Sequence, residues 1–264
     1  GVEVPLLHFP LLEKTGIVKE GFTTRLGGVS EGIFSTMNLS FTRGDEEEAV
    51  RENYRRLASA LDVDYDKFVF TDQTHTTNVR KVTAEDAGNG LTREREFHDT
   101  DGLITNVPGL VLSTFYADCV PLYFVDPVHR AIGLSHSGWR GTVHKMGQAT
   151  LDAMHERFGT EAKDVIAAVG PSICQDCYEV SGDVAVEFEQ AFAGHGHEIL
   201  IAKENGKYQL DLWKANEIVL LDAGVLPEHI EITDICTCCN PDLLFSHRAS
   251  HGKRGNLGAF LCLK

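Results

Sequence analysis

Four short apolar runs stand in close order in the middle of the chain: Gly102–Thr105, Leu110–Ala117, Leu122–Val125 and Ala131–Ser135. Their length and the turn residues between them mark them as buried strands rather than helices. Around them the elements are unevenly distributed. Before them, Ile17–Thr24, Phe68–Asp72 and Val79–Val82 read as further strands, with one helix at about 46–61. That helix takes Asp45 as its N-cap and sets Val50, Tyr54, Leu57 and Leu61 on one face. After them, helices interleave with strands. Val143, Gly147, Leu151, Met154 and Phe158 predict a helix over about 142–158, ended by Gly159. Ser181 and Asp211 cap two more, the second stopping at Gly224. Val165–Val169, Ile230–Ile235 and Leu257–Leu263 read as strands, and Asn205-Gly206 marks a hairpin between Ile199–Ala202 and Tyr208–Leu210. Strands and helices do not alternate strictly. The expectation is therefore an α+β fold with mixed sheets flanked by helices, not a doubly wound sheet.

The chain has 264 residues, with no repeat and no Pro/Ser-rich linker, so a single domain over 1–264 is expected. A globule of this size buries enough surface to need no disulfide staples. Its formal charge of −15, with no Lys/Arg-rich block, argues against a nucleic-acid partner. No run approaches the ~20 apolar residues that span a bilayer. The first residues show neither the basic start nor the apolar core of a signal peptide, and the seven cysteines are an odd number. These features point to a reducing cytosol.

Three segments carry chemistry. His75 follows a short strand in Thr71-Asp72-Gln73-Thr74-His75. Cys119 ends an apolar strand in Tyr116-Ala117-Asp118-Cys119-Val120-Pro121, where Pro121 stops simple continuation of the ladder. His136 ends another strand, in Ser135-His136-Ser137-Gly138-Trp139-Arg140-Gly141. If these ends converge, they make a three-ligand His/Cys/His site that leaves a fourth tetrahedral position of zinc open, the catalytic pattern. A second thiolate set competes: Cys174-Gln175-Asp176-Cys177 and Cys236-Thr237-Cys238-Cys239 would make a closed structural site. The pairs lie some sixty residues apart, so reduced, buried thiols are the preferred reading of these cysteines. Arg140 at a helix start, Arg43 in Phe41-Thr42-Arg43-Gly44-Asp45, and the cluster of Arg248 with Lys253-Arg254 are candidate anion binders. Asn38 is a candidate contact to a sugar or base.

These motifs occur together in one order: Gly21–Gly28 with Asn38-Leu39-Ser40, Gln73-Thr74-His75, Asp99–Thr105, Ala117–Pro121, Ser135–Gly141, Gly170–Ile173 with Cys177–Val180, and Cys236-Thr237 through Phe245–Arg248. The chain thus strongly resembles the laccase-domain family, formerly labelled multicopper polyphenol oxidases and also called peptidoglycan editing factors. Several of its members are regarded as purine nucleoside phosphorylases. The resemblance covers about residues 17 to 263. It implies a single α+β domain with the metal site His75, Cys119 and His136, the same trio that the strand ends select. Cys174 stands where many relatives carry glycine, so the resemblance assigns it no shared role.

The resemblance implies a zinc-dependent phosphorylase. It would cleave adenosine, inosine or 5′-methylthioadenosine with phosphate, releasing free base and ribose 1-phosphate. Arg43, Arg140 and Arg248 are then candidates for phosphate or substrate, and Asn38 and Gln73 for base or ribose. Some members also deaminate adenosine. Zinc deaminases use a His-x-Glu pair, but Thr76-Thr77 follow His75 here, which leaves Asp118 as the nearest acid. A cysteine hydrolase or amidase acting on cell-wall precursors is the alternative, with Cys119 as nucleophile and His136 or His75 as base. A non-enzymatic metal- or partner-binding role is a third reading. Copper would bind the trio readily, but a four-copper oxidase needs a histidine-rich cluster, and His195-Gly196-His197 is the only His-x-His spacing.

Overall fold

A computed structural model describes residues 3–264. It forms an α+β domain built on three sheets. The five-stranded sheet runs in the order Leu6–Leu7, Val18–Thr23, Leu257–Leu263, Val111–Tyr116, Phe68–Phe70. The six-stranded sheet runs Ile230–Ile232, Ile166–Val169, Val120–Asp126, Ala131–Ser137, Gly102–Thr105, Val79–Lys81. Both are mixed, each combining parallel and antiparallel pairs. A small antiparallel sheet, Glu179–Val180, Tyr208–Leu210 and Leu200–Ala202, lies apart.

Successive side chains of a strand point to opposite faces, and this period sorts the core into layers. In Val120–Asp126, Tyr123 and Val125 face the five-stranded sheet and join Val18, Phe22, Leu112 and Leu261 in the central core. Leu122 and Phe124 face the other way, onto Leu151 and Met154 of Met146–Phe158 and Val219 of Leu212–Asp222. In the five-stranded sheet, Val111, Phe260 and Cys262 face outward onto Val50, Tyr54, Leu57 and Leu61 of helix Glu47–Leu61. The result is helix, sheet, sheet, helix. The Tyr123 hydroxyl crosses the central layer to donate to the Gly21 carbonyl at 2.9 Å.

Several local expectations change. The helix predicted over 142–158 is two helices, Trp139–Val143 and Met146–Phe158, because Lys145 turns left-handed at φ 61°. The N-cap of Glu47–Leu61 is Glu46. Asp45 instead accepts from Ser30 Oγ at 2.6 Å and Asn38 Nδ2 at 2.9 Å, since a loop packed against it offers better donors. Pro121 sits inside Val120–Asp126, paired opposite His136, one residue past the strand's start, where a missing donor costs least. The Asp211 cap forms as expected, accepting from Lys214 N at 2.9 Å.

Candidate active site

The short turn 117–119 carries the chain from Val111–Tyr116 in one large sheet to Val120–Asp126 in the other. Asp118 makes this turn possible by adopting φ 94°, a conformation unusual for a residue with a side chain. Cys119 is thereby set at the seam between the sheets. His136 reaches the same seam from Ala131–Ser137, and His75, itself at φ 64°, reaches it from the loop after Phe68–Phe70. The ligand atoms of His75, Cys119 and His136 all lie within 4.8 Å of one another.

Asp101, fully buried, organises this trio. Its Oδ2 lies 2.8 Å from His136 Nδ1 and accepts from His75 N at 3.1 Å. Its Oδ1 accepts from Thr74 N and Thr76 N, both at 3.0 Å. The bond to Nδ1 commits His136 to present Nε2, as outer carboxylates do for ligating histidines. Burial pulls the His136 imidazolium down, but charge and hydrogen bonding from Cys119 and Asp101 outweigh it and hold it at about 9. Burial and the nearby His136 lower His75. Gly138 leaves the space: a Cβ there would meet His75 Nδ1 at 2.8 Å and Cys119 Sγ at 3.2 Å. Two imidazoles and a thiol around such a gap fit one zinc-sized ion with an open position toward the cleft.

The trio forms the floor of a cleft of about 370 Å³. Arg43 and Arg254 stand on its wall, with Phe41, Phe115, Asp72 and Arg95 among the other lining residues. Arg254 Nε is buried with no hydrogen-bond partner. Burial and the neighbouring Arg43 pull its guanidinium down to about 10, because both disfavour the charged form. Arg43 is braced by the carbonyls of Arg254 and Gly252 at 3.1 and 3.0 Å.

Of the residues singled out from sequence, Gln73 and Arg43 line the cleft, while Asn38, Arg140 and Arg248 do not. Asn38 is wholly buried, and all its bonding capacity is used by Ser40 N, Ser40 O, Asp45 and Asn256 N. In this structure it braces a loop. Arg140 is exposed and stacks on Trp139, 4.3 Å from the ring centroid. Arg248 spends its guanidinium on the Glu179 carbonyl at 3.1 and 3.2 Å. Gln73 faces the cleft, but its amide brackets the Phe115 backbone, at 2.7 and 2.8 Å. Asp118 accepts from Thr237 Oγ1 and from Arg248 N, both at 2.7 Å, so both its oxygens hold protein in position. Sequence reasoning passed over Asp101 and left Arg254 undistinguished within a basic run. No spacing rule links Asp101 to a histidine 35 positions away, and an unpaired Nε is visible only in space.

The thiol expectation is corrected. Cys174, Cys177, Cys236 and Cys239 converge, with their sulfurs within 4.8 Å of one another, although only Cys236 is buried. The two CxxC turns lie on neighbouring segments because Ser172 and Cys236 pair as a parallel bridge.

Fold and site define a three-sheet α+β protein with a His/Cys/His centre beneath an arginine-walled cleft. The chain belongs to the family described as multi-copper polyphenol oxidoreductase laccase, whose model matches residues 19–264. It is 37% identical to the purine nucleoside phosphorylase YlmD of Bacillus subtilis, covering 92% of this chain and 88% of that one. It is 35% identical to a purine nucleoside phosphorylase of Bacteroides thetaiotaomicron over 96% of this chain and 94% of that one. Among solved structures, YfiH of Bacillus licheniformis superposes with a TM-score of 0.91 at 36% identity, over 94% of this chain and 93% of that one. YlmD of Geobacillus stearothermophilus superposes with a TM-score of 0.88 at 35% identity, over 94% of this chain and 92% of that one. The named relatives support an enzyme of the purine nucleoside phosphorylase kind. Among the described residues no helix is long and apolar enough to cross a membrane.

Proposed function

We propose that this chain is a zinc-dependent purine nucleoside phosphorylase acting on adenosine and inosine, with 5′-methylthioadenosine as a further substrate. The observation that carries the reading is the unpartnered Arg254 Nε beside Arg43, immediately next to the His75/Cys119/His136 trio. Two close guanidiniums, one with an unused buried donor, suit a phosphate dianion. Phe41 and Phe115 line the same cleft and offer apolar aromatic surface to a purine ring.

The chain's own residues divide the work. Arg43 and Arg254 hold phosphate as the attacking anion, so its charge lies close to the cation developing at C1′ of the ribose. Phe41 and Phe115 orient the base and keep water from its face. Asp101 holds His136 in one tautomer and, through three backbone N–H groups, fixes the loop that carries His75. Asp118 anchors the far side of the Cys119 turn to Thr237 and Arg248, a positioning role rather than that of an acid. Zinc, when bound by His75, Cys119 and His136, would supply Lewis acidity and lower the pKa of a bound water. That chemistry also suits adenosine deamination as a side activity. The donor set serves one ion and lacks the many histidines of a four-copper oxidase.

A second reading has its own support. Cys119, His136 and Asp101 are also in the order of a nucleophile, a base and the base's orienter, as a cysteine amidase requires. The two readings part over phosphate. Adenosine and inosine are incubated with the zinc-loaded protein, with and without phosphate, beside Cys119→Ala. Phosphate-dependent release of adenine and hypoxanthine with ribose 1-phosphate, lost in the variant, is the expected result. Ammonia release without phosphate would register deamination. Absence of any base release, with hydrolysis of cell-wall amides instead, would replace the phosphorylase by the amidase.

A further inference from the structure

We infer that Cys174, Cys177, Cys236 and Cys239 hold a second zinc ion in a closed, structural tetrathiolate site, separate from the cleft and independent of what the cleft does. The first observation is the size of the thiol group. Zinc–sulfur bonds of ~2.3 Å in a tetrahedron put neighbouring sulfurs about 3.8 Å apart. Here Cys174 Sγ lies 3.9 Å and Cys177 Sγ 3.4 Å from Cys239 Sγ, and all four sulfurs fall within 4.8 Å. These separations are far from the ~2.05 Å of a disulfide bond. They also enclose room for one ion rather than a multi-iron cluster.

The second observation is how the backbone treats the most buried sulfur. Cys236 Sγ accepts from Cys174 N at 3.3 Å and from Cys239 N at 3.4 Å. Two N–H groups directed at one sulfur stabilise a thiolate, the form that binds metal. One of these donors comes from the other CxxC turn, so the turns interlock before any ion is added. Each ligating thiol would release its proton to solvent on binding, and no oxidant or reductant is required.

The third observation is what such an ion would clip together. The Cys174–Cys177 turn leads directly into Tyr178 and Glu179, whose carbonyl holds the Arg248 guanidinium. The Cys236–Cys239 turn contains Thr237, which holds Asp118. Ile173 N, just before the first turn, donates to the Asp118 carbonyl at 3.0 Å. Both turns therefore grip the strained residue beside Cys119, from segments some sixty positions apart in sequence. Closing so long a loop restricts the unfolded chain strongly, so the ion acts as a staple for the wall behind the active site.

The test counts zinc by elemental analysis in three proteins purified from zinc-supplemented cultures without chelator: wild type, Cys119→Ala and Cys177→Ser/Cys239→Ser. Cys119→Ala disables the cleft trio, so the one zinc per chain it retains reports the thiolate site alone. The double variant is expected to lose one zinc per chain relative to wild type. Cobalt substituted into Cys119→Ala should show the intense thiolate-to-metal charge-transfer absorption of a four-sulfur tetrahedral site. Less than a tenth of a zinc per chain in folded Cys119→Ala would overturn the proposal. So would a Cys177–Cys239 disulfide in non-reducing peptide mapping, or iron in place of zinc. If the double variant fails to fold, the zinc count and cobalt spectrum of Cys119→Ala still decide. Loss of activity in wild type with this site filled would count against the phosphorylase reading only.

Discussion

Asp101 Oδ2 lies 2.8 Å from His136 Nδ1, inside the protein, while the same carboxylate receives three backbone N–H groups from residues 74–76. One side chain thus sets both the tautomer of one metal-ligand candidate and the loop carrying another. Asp101→Asn would place an NH₂ group against donors that need an acceptor. Metal affinity of the trio is expected to fall 10–100-fold, the usual cost of losing such an outer carboxylate. Competition with a chromophoric chelator measures it, and unchanged affinity would remove Asp101 from the site's design.

Gly138 is the space in which the trio meets. An added Cβ would approach His75 Nδ1 to 2.8 Å and Cys119 Sγ to 3.2 Å. Gly138→Ala should therefore displace His75 or Cys119 while the two-sheet core, which does not contain this residue, stays folded. The expected outcome is a circular dichroism spectrum like the wild type's with loss of the cleft ion and of turnover. A variant retaining both would show that the trio does not need its close approach.

Arg254 is assigned to phosphate. A charge-assisted hydrogen bond is worth about 1.5–3 kcal/mol, or roughly 10–100-fold in binding. Arg254→Ala should raise the KM for phosphate by that factor and move the KM for the nucleoside much less. Steady-state kinetics with each substrate varied in turn separates the two. Equal effects on both constants would point to a general collapse of the cleft wall.

Glu20 offers a test away from the site. Its carboxyl is buried, accepts from Phe9 N at 3.3 Å and lies 3.1 Å from His8 Nδ1. Burial raises it from 4.5 to about 7 against these bonds. The folded state therefore holds this proton more tightly than the unfolded state does. Its stabilising contribution is complete below about pH 4.5 and is lost as pH rises through about 7. Between pH 5 and pH 8 the wild type should lose stability relative to Glu20→Gln, on the order of 3 kcal/mol. Urea unfolding of both proteins at each pH reads the difference. Parallel curves would mean that Glu20 is ionised throughout.

Much of this molecule can be read from periodicity and punctuation. The strand runs around residues 102–135 form, the Asn205-Gly206 hairpin pairs Ala202 with Tyr208, and the Asp211 cap is made. Such features rest on interactions within a few residues, or on an apolar pattern that any partner layer satisfies. Asp45 shows the limit. By sequence it is a good N-cap, yet Ser30 and Asn38 are brought to it by the fold and outcompete the helix end. Asn38 shows the same effect from the other side: a polar residue in a turn invites assignment to a ligand, and burial hands it four protein partners instead.

The residue types alone established the α+β class and the soft-ligand chemistry of His75, Cys119 and His136, because strand-forming patterns and imidazole or thiol donors are properties of the chain itself. Tertiary structure alone decided which groups share a site. It brought Asp101 under His136, left the Nε of Arg254 without a partner beside Arg43, and drew two distant CxxC turns into one cluster. The reason is geometric. Sheet pairing and layer packing bring residues tens of positions apart to within hydrogen-bond distance, and no local pattern encodes which of them will meet.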